Sequence, residues 1–181
     1  MREDKSFLNY HGKAQCYHVY EMLQQVCTGT FISCNAEQSP VIDKKFNTLE
    51  DLKVYANKGP ATGVLTAFSM YPLKDFLVIG CDYPLLSEAE IRHFLANIPE
   101  GSDAAAFYDE HDQCYQPVVA WYSSEAGSLF LKLAENEQYT LKRFLESVNA
   151  FKHLPLDAKS LLSVDTIEES EEVMQLIKHN Y

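Results

Sequence analysis

The chain has 181 residues, 46% of them hydrophobic, with 10 Phe and 11 Tyr, which speaks against disorder and suffices for one domain with a full core. A formal charge of −11, from 26 acidic against 15 basic residues, speaks against a nucleic-acid or anionic membrane partner, both of which need a basic footprint. Any phosphate ligand must therefore be met by a local basic cluster inside a repulsive overall field.

The five cysteines (Cys16, Cys27, Cys34, Cys81, Cys114) are odd in number and form no C-x-x-C, so neither a disulfide framework nor a zinc ribbon is indicated. His111 and Cys114 lack a second pair of metal ligands. With no signal peptide and no long apolar span, the sequence predicts a soluble, cytoplasmic protein.

Taken in order, Met1 to Lys13 gathers Arg2, Lys5 and Lys13, and Lys5 is placed to meet a phosphate as a point charge; a solvated tail is the plainer alternative. Cys16, Tyr20, Leu23 and Cys27 recur at helical spacing over 14–27, before Thr28 and Gly29. Thr30 to Cys34 is short, β-branched and aromatic, hence a strand, and Asn35 stands at its carboxyl end. Ser39 to Lys58 reads as a loop with a helical piece over 48–56, which Thr48 and Asp51 would cap. Asp43 and Asp51 are both candidate site carboxylates, and spacing does not choose between them. Gly59-Pro60-Ala61-Thr62-Gly63 opens a helix to about Met70; glycines permit close backbone approach, and free N–H groups at a helix start attract anions.

Phe76 to Ile79 is an unbroken apolar run of strand length, predicting a strand inside a sheet covered on both faces. It stops at Gly80-Cys81-Asp82-Tyr83-Pro84. Ligands of open α/β sheets bind beyond the carboxyl ends of such strands, which makes Asp82 the leading candidate for the chemical centre. An Asp ahead of a Pro is also an ordinary turn.

Ser87-Glu88-Ala89-Glu90 is a capping box for a helix with Ile91, Phe94, Leu95 and Ile98 on one face. Strands follow at 104–108 and 118–122, the second preceded by Gln116-Pro117, then helices near 124–135 and 141–148. The Lys142-Arg143 pair reads as a solvated face. A last strand is predicted at 161–164, and Thr166-x-x-Glu169 caps a final helix to Lys178. Alternating strands and helices without a dividing linker indicate a single layered α/β domain over 1–181.

Several short pieces, in order, resemble the molybdenum cofactor guanylyltransferases (MobA-like) of the nucleotidyltransferase superfamily. They are Asp4-Lys5 with Gly12-Lys13, Ser33-Cys34-Asn35, Gly59 to Gly63, Cys81-Asp82-Tyr83-Pro84, Gln116-Pro117 and Asp165-Thr166. The resemblance implies a three-layer α/β/α fold with a mostly parallel sheet, nucleotide-diphospho-sugar transferase-like and Rossmann-like. It implies transfer of GMP from Mg-GTP to molybdopterin with release of pyrophosphate, and contact with other molybdenum cofactor biosynthesis proteins.

By the same comparison Asp82 would hold Mg²⁺, Lys5 would contact the nucleotide phosphates, and Gly59, Pro60 and Gly63 would meet the guanine. Asn35 and Asp43 would line the nucleotide side. Relative to the family pattern, Met1 falls inside the glycine-rich motif, so the first strand and phosphate loop are absent and an upstream start is expected. The family's N-x-N-T-P stands here as Ser163-Val164-Asp165-Thr166-Ile167. A cytidylyltransferase or other nucleotidyltransferase is the alternative within the class. A non-catalytic paralogue serving as a binding partner in cofactor maturation is the alternative outside it.

Overall fold

The computed structural model describes residues 4–135 and 140–179; Met1 and Arg2, part of the basic N-terminal piece, lie outside them. In chain order the elements are α1 (Gln15–Leu23), β1 (Ile32–Cys34), β2 (Thr48–Glu50), α2 (Ala61–Met70), β3 (Phe76–Ile79), α3 (Glu88–Asn97), β4 (Ala104–Asp109), β5 (Cys114–Tyr122), α4 (Ser124–Leu133), α5 (Leu141–Ser147), β6 (Phe151–His153) and α6 (Ile167–His179). Short 3₁₀ turns stand at Lys5–Phe7, Ser39–Val41, Lys53–Tyr55 and Ala158–Leu161. The chain divides into two compact units, one of Met1–Thr30, Gly80–Ala96 and Pro155–Tyr181, the other of Phe31–Ile79 and Asn97–Leu154.

The six strands of the described residues all lie in the second unit. β1 and β2 pair in parallel, and the remaining strands form a sheet of order β3-β5-β4-β6. β5 is antiparallel to both β3 and β4, while β4 is parallel to β6, so three of the four strands run the same way. The core packs α2, α4 and α5 through Leu65, Phe68, Phe130, Phe144 and Leu145, all fully or almost fully buried, with Phe130 and Phe144 rings 4.9 Å apart. Burying each such side chain contributes about 1.5–3 kcal/mol. Gly127 on α4 lets the Phe68 ring approach so closely that a Cβ there would lie 2.0 Å from it.

Four expectations change. Residues 48–56 do not form one helix: Thr48, Leu49 and Glu50 pair with Ile32, Ser33 and Cys34, only Leu49 of the three is buried, and the helical part shrinks to the 3₁₀ turn Lys53–Tyr55. A ladder partner outweighs a local capping signal. The apolar strand β3 is half-buried and stands at one end of the sheet order rather than inside it. Gln116 and Pro117 lie within β5, not before it. Its partner register jumps there, with Ala106 opposite Ala120 but Tyr108 opposite Tyr115, so the proline occupies a bulge. The Tyr122 hydroxyl donates to the Pro117 carbonyl at 2.7 Å. The last strand of the sheet is Phe151–His153, whereas 161–164 carries no strand; Val164 instead donates its N–H to the Asp82 carbonyl at 2.9 Å.

In the first unit, Tyr10, Val164 and Val173 form a small core with Leu8, Leu85, Met174 and Ile177 packed on it. The Tyr10 hydroxyl reaches Ser170 on α6 at 3.1 Å. Ser87 accepts the Glu90 N–H at 3.1 Å, but the Glu90 carboxylate turns away from the capping box to take the Leu156 N–H at 2.8 Å. The second box is complete: Thr166 accepts from the Glu169 N–H, and the Glu169 carboxylate accepts from Thr166 and Asp165 at 2.8 and 2.7 Å. Among the described residues no helix is long and apolar enough to cross a membrane.

Candidate active site

In the first unit, Asp4 caps the turn Lys5–Phe7 by accepting the Ser6 N–H at 3.0 Å, which orders the segment carrying Lys5. The Lys5 ammonium is bonded to the Asp165 carboxylate, whose main chain is held by Glu169. Asp82 lies three residues beyond β3. Burial raises the Asp82 pKa above the ordinary carboxylate range, its own backbone hydrogen bond opposes that, Asp165 adds to the rise and Lys5 lowers it. Lys5, Asp82 and Asp165 are thus one electrostatic cluster, with two carboxylates against one ammonium.

Such a set suits a hard divalent cation, because carboxylate oxygens are its natural donors and the surplus negative charge disfavours anionic Asp82 without one. The neighbouring Cys81 thiol is pushed up to about 12, first by burial and then by Cys16, Asp82 and Asp4, so it stands as a neutral thiol.

In the second unit, Gly63 on the first turn of α2 faces β1: a Cβ there would lie 2.4 Å from Ser33 Oγ and 3.8 Å from an Asp51 carboxylate oxygen. Ser33 Oγ donates to that carboxylate at 3.3 Å. Burial raises the Asp51 pKa, Ser33 lowers it and Glu50 raises it. A side chain at 63 would therefore displace the Ser33 hydroxyl and its bond to Asp51, which gives the glycine a packing role whatever ligand it meets.

Gly59 differs, having φ of +58° and open space where a Cβ would project. Pro60 forms the N-cap of α2 at φ −59°. Gly59 already uses its carbonyl on the Thr62 N–H at 3.0 Å, so part of the helix start is satisfied internally.

Asn35 is exposed, and its side-chain oxygen accepts from the N–H groups of Glu37 and Gln38 at 2.9 and 2.8 Å, capping its own turn. Asp43 is likewise exposed and takes the Lys45 N–H at 3.0 Å, with the Lys45 ammonium 4.0 Å away. Of the two carboxylates that spacing left open, Asp51 is the one that shares a corner with Ser33 and Gly63. Asp165 was visible in the sequence as the residue replacing an amide position, but its pairing with Lys5 was not, since 160 residues separate them.

Residues 1–154 match the family model described as the MobA-like NTP transferase domain. The chain belongs to that family. It is 28% identical over 175 residues to a molybdenum cofactor guanylyltransferase of Shewanella sp. (strain ANA-3), covering 93% of this chain and 85% of that one. It is 27% identical over 137 residues to a molybdenum cofactor biosynthesis bifunctional protein of Synechocystis sp., covering 73% of this chain but spanning only 38% of that longer protein.

Among solved structures it resembles molybdopterin-guanine dinucleotide biosynthesis protein A from Archaeoglobus fulgidus, with a TM-score of 0.76 at 16% identity over 98% of this chain and 92% of that one. CMP:2-keto-3-deoxy-manno-octonic acid synthetase aligns with a TM-score of 0.68 at 10% identity, over 98% of this chain and 92% of that chain. The fold is the nucleotide-diphospho-sugar transferase-like α/β fold, and the MobA-like chain is an enzyme of the nucleotidyltransferase type.

Proposed function

We propose that this MobA-like enzyme transfers GMP from Mg-GTP to the terminal phosphate of molybdopterin and releases pyrophosphate. The observation that carries this reading is the cluster in which Lys5 and Asp165 flank the half-buried Asp82. The names of the Shewanella and Synechocystis relatives support the pathway, molybdenum cofactor biosynthesis, and the Shewanella name supports the guanylyl group.

In the transfer, a phosphate oxygen of the acceptor forms a bond to the α-phosphorus of GTP while the α–β bridging P–O bond breaks. The attacking oxygen is already anionic, so no general base is required, and positioning with charge neutralisation supplies the catalysis. Asp82 would hold Mg²⁺, with Asp165 as the second carboxylate. When bound, the ion supplies Lewis-acid neutralisation of the phosphate oxygens. Lys5 would leave Asp165 to meet the phosphates as a point charge.

For the guanine, Gly59, Pro60 and Gly63 at the start of α2 are the candidate contacts, with Asn35, Asp43 and Asp51 as candidate polar partners. The reading takes 1–181 as a single nucleotidyltransferase domain, acting in the cytoplasm alongside other molybdenum cofactor biosynthesis proteins, with no nucleic-acid or membrane partner.

The test is pyrophosphate release and dinucleotide formation by the purified protein with molybdopterin and Mg-GTP, with Mg-CTP in parallel. Turnover with GTP but not CTP supports guanylyl transfer; turnover with CTP alone would make the enzyme a cytidylyltransferase. No turnover with either, together with tight binding to a cofactor-maturation protein, would identify a non-catalytic paralogue.

A further inference from the structure

Three consecutive carbonyls of the segment carrying Asp82 accept hydrogen bonds within the first unit. The Asp82 carbonyl takes the Val164 N–H at 2.9 Å, and the Tyr83 carbonyl takes the Leu86 N–H at 3.2 Å. The Pro84 carbonyl lies 2.9 Å from His11 Nε2, and since a carbonyl cannot donate, that ring nitrogen carries the proton. Two of the three donors are main-chain N–H groups, which only a proline would remove. His11 alone is a side chain.

The His11 ring is itself held in place. An antiparallel bridge between Asn9 and Ala14 closes its loop, Gly12 provides the left-handed turn at φ +75°, and Gln15 donates its N–H to the Leu8 carbonyl at 2.8 Å. His11 then stacks on His18 of α1, with ring centroids 3.8 Å apart and planes 17° from parallel. Tyr83, Pro84 and Leu86 are buried, so the Pro84 carbonyl would find poor substitutes for this donor.

We propose that His11 is a positioning residue for Asp82: by donating Nε2–H to the Pro84 carbonyl it fixes the turn that presents the carboxylate to a divalent cation. The inference rests on the reading of Asp82 as a metal ligand.

The experiment measures Mn²⁺ binding by electron paramagnetic resonance on the full chain, with melting temperatures recorded for every variant. His11→Phe keeps the ring stack on His18 and removes the donor, whereas His11→Gln places an amide N–H near the Nε2 position. Asp82→Ala is expected to abolish specific Mn²⁺ binding. His11→Phe is expected to weaken it about three- to tenfold, as loss of one hydrogen bond requires, and His11→Gln to restore it to within about twofold.

If Asp82→Ala binds Mn²⁺ as the wild type does, the metal reading beneath the proposal is overturned. If Asp82→Ala loses the ion and His11→Phe does not, the positioning role is overturned and the metal reading stands. Should His11→Phe fail to fold, His11→Asn replaces it, because the shorter amide cannot reach Pro84. Equal Mn²⁺ affinities for His11→Asn and His11→Gln would then overturn the proposal.

Discussion

The Lys5 ammonium is bonded to the Asp165 carboxylate across 160 residues of chain, and the two act with opposite sign on Asp82. Lys5 draws the Asp82 carboxyl toward ionisation and Asp165 pushes it back. In the proposed reaction, this pairing would keep the charge that meets the phosphates in reserve on a neighbouring acid. Replacing Lys5 by Ala is expected to lower kcat for guanylyl transfer about 10²–10³-fold, the scale for loss of one transition-state charge partner. Steady-state kinetics with Mg-GTP check this, and an unchanged kcat would remove Lys5 from the chemistry.

Asp82 carries a stability cost of defined sign. Its pKa is raised in the fold, so it contributes most favourably when protonated, below the unfolded value near 3.9, and that contribution is lost as pH rises through the raised value. Asp82→Asn is therefore expected to melt higher than the wild type at neutral pH without metal, while losing transfer. Added Mg²⁺ should raise the wild-type Tm and leave the variant unmoved. Calorimetry at pH 7, with and without Mg²⁺, decides it.

His18 acts in the opposite pH direction. Burial first, then His11 and Lys13, bring its pKa down to about 4 against a partial offset from Glu21. The unfolded chain takes up a proton near pH 6.5, where the folded chain does not, so stability present above that pH is lost between about 6.5 and about 4. In His18→Phe, which keeps a ring under His11, the Tm should fall less over that interval. Parallel slopes for the two proteins would contradict the burial of a neutral imidazole.

The corner formed by Ser33, Asp51 and Gly63 gives a rescue experiment. An Ala at 63 places its Cβ 2.4 Å from Ser33 Oγ, which must rotate and abandon Asp51. Gly63→Ala is expected to raise KM for GTP about three- to tenfold, on the scale of one hydrogen bond. If the damage is purely steric, adding Ser33→Ala lets the packing relax but leaves Asp51 without its donor, so stability should recover while KM does not. Recovery of both would place Asp51 outside the nucleotide site.

Away from the site, Gly127→Ala should destabilise the second unit by about 1–3 kcal/mol, the usual cost of overpacking, because the Phe68 ring it would meet is buried and has nowhere to move. Urea denaturation measures it. A Phe68→Leu background should return part of the loss.

The sequence by itself determined whatever depends on neighbours in the chain. The α2 start at Gly59-Pro60, the Thr166–Glu169 capping box and the apolar run of β3 were legible because propensity, capping and periodicity act over a few residues. The short motifs that resemble the family were legible in the same way.

Tertiary structure decided what depends on distant partners. Residues 48–50 became a strand because β1 lies beside them, and Pro117 entered β5 because a bulge absorbs its missing N–H. Asp165 met Lys5, and His11 met Pro84, only because folding closed long loops. Side-chain chemistry names the candidates, but a pKa, a hydrogen bond or a steric requirement for glycine belongs to the atoms that surround a residue in space, and no local pattern in the chain encodes those.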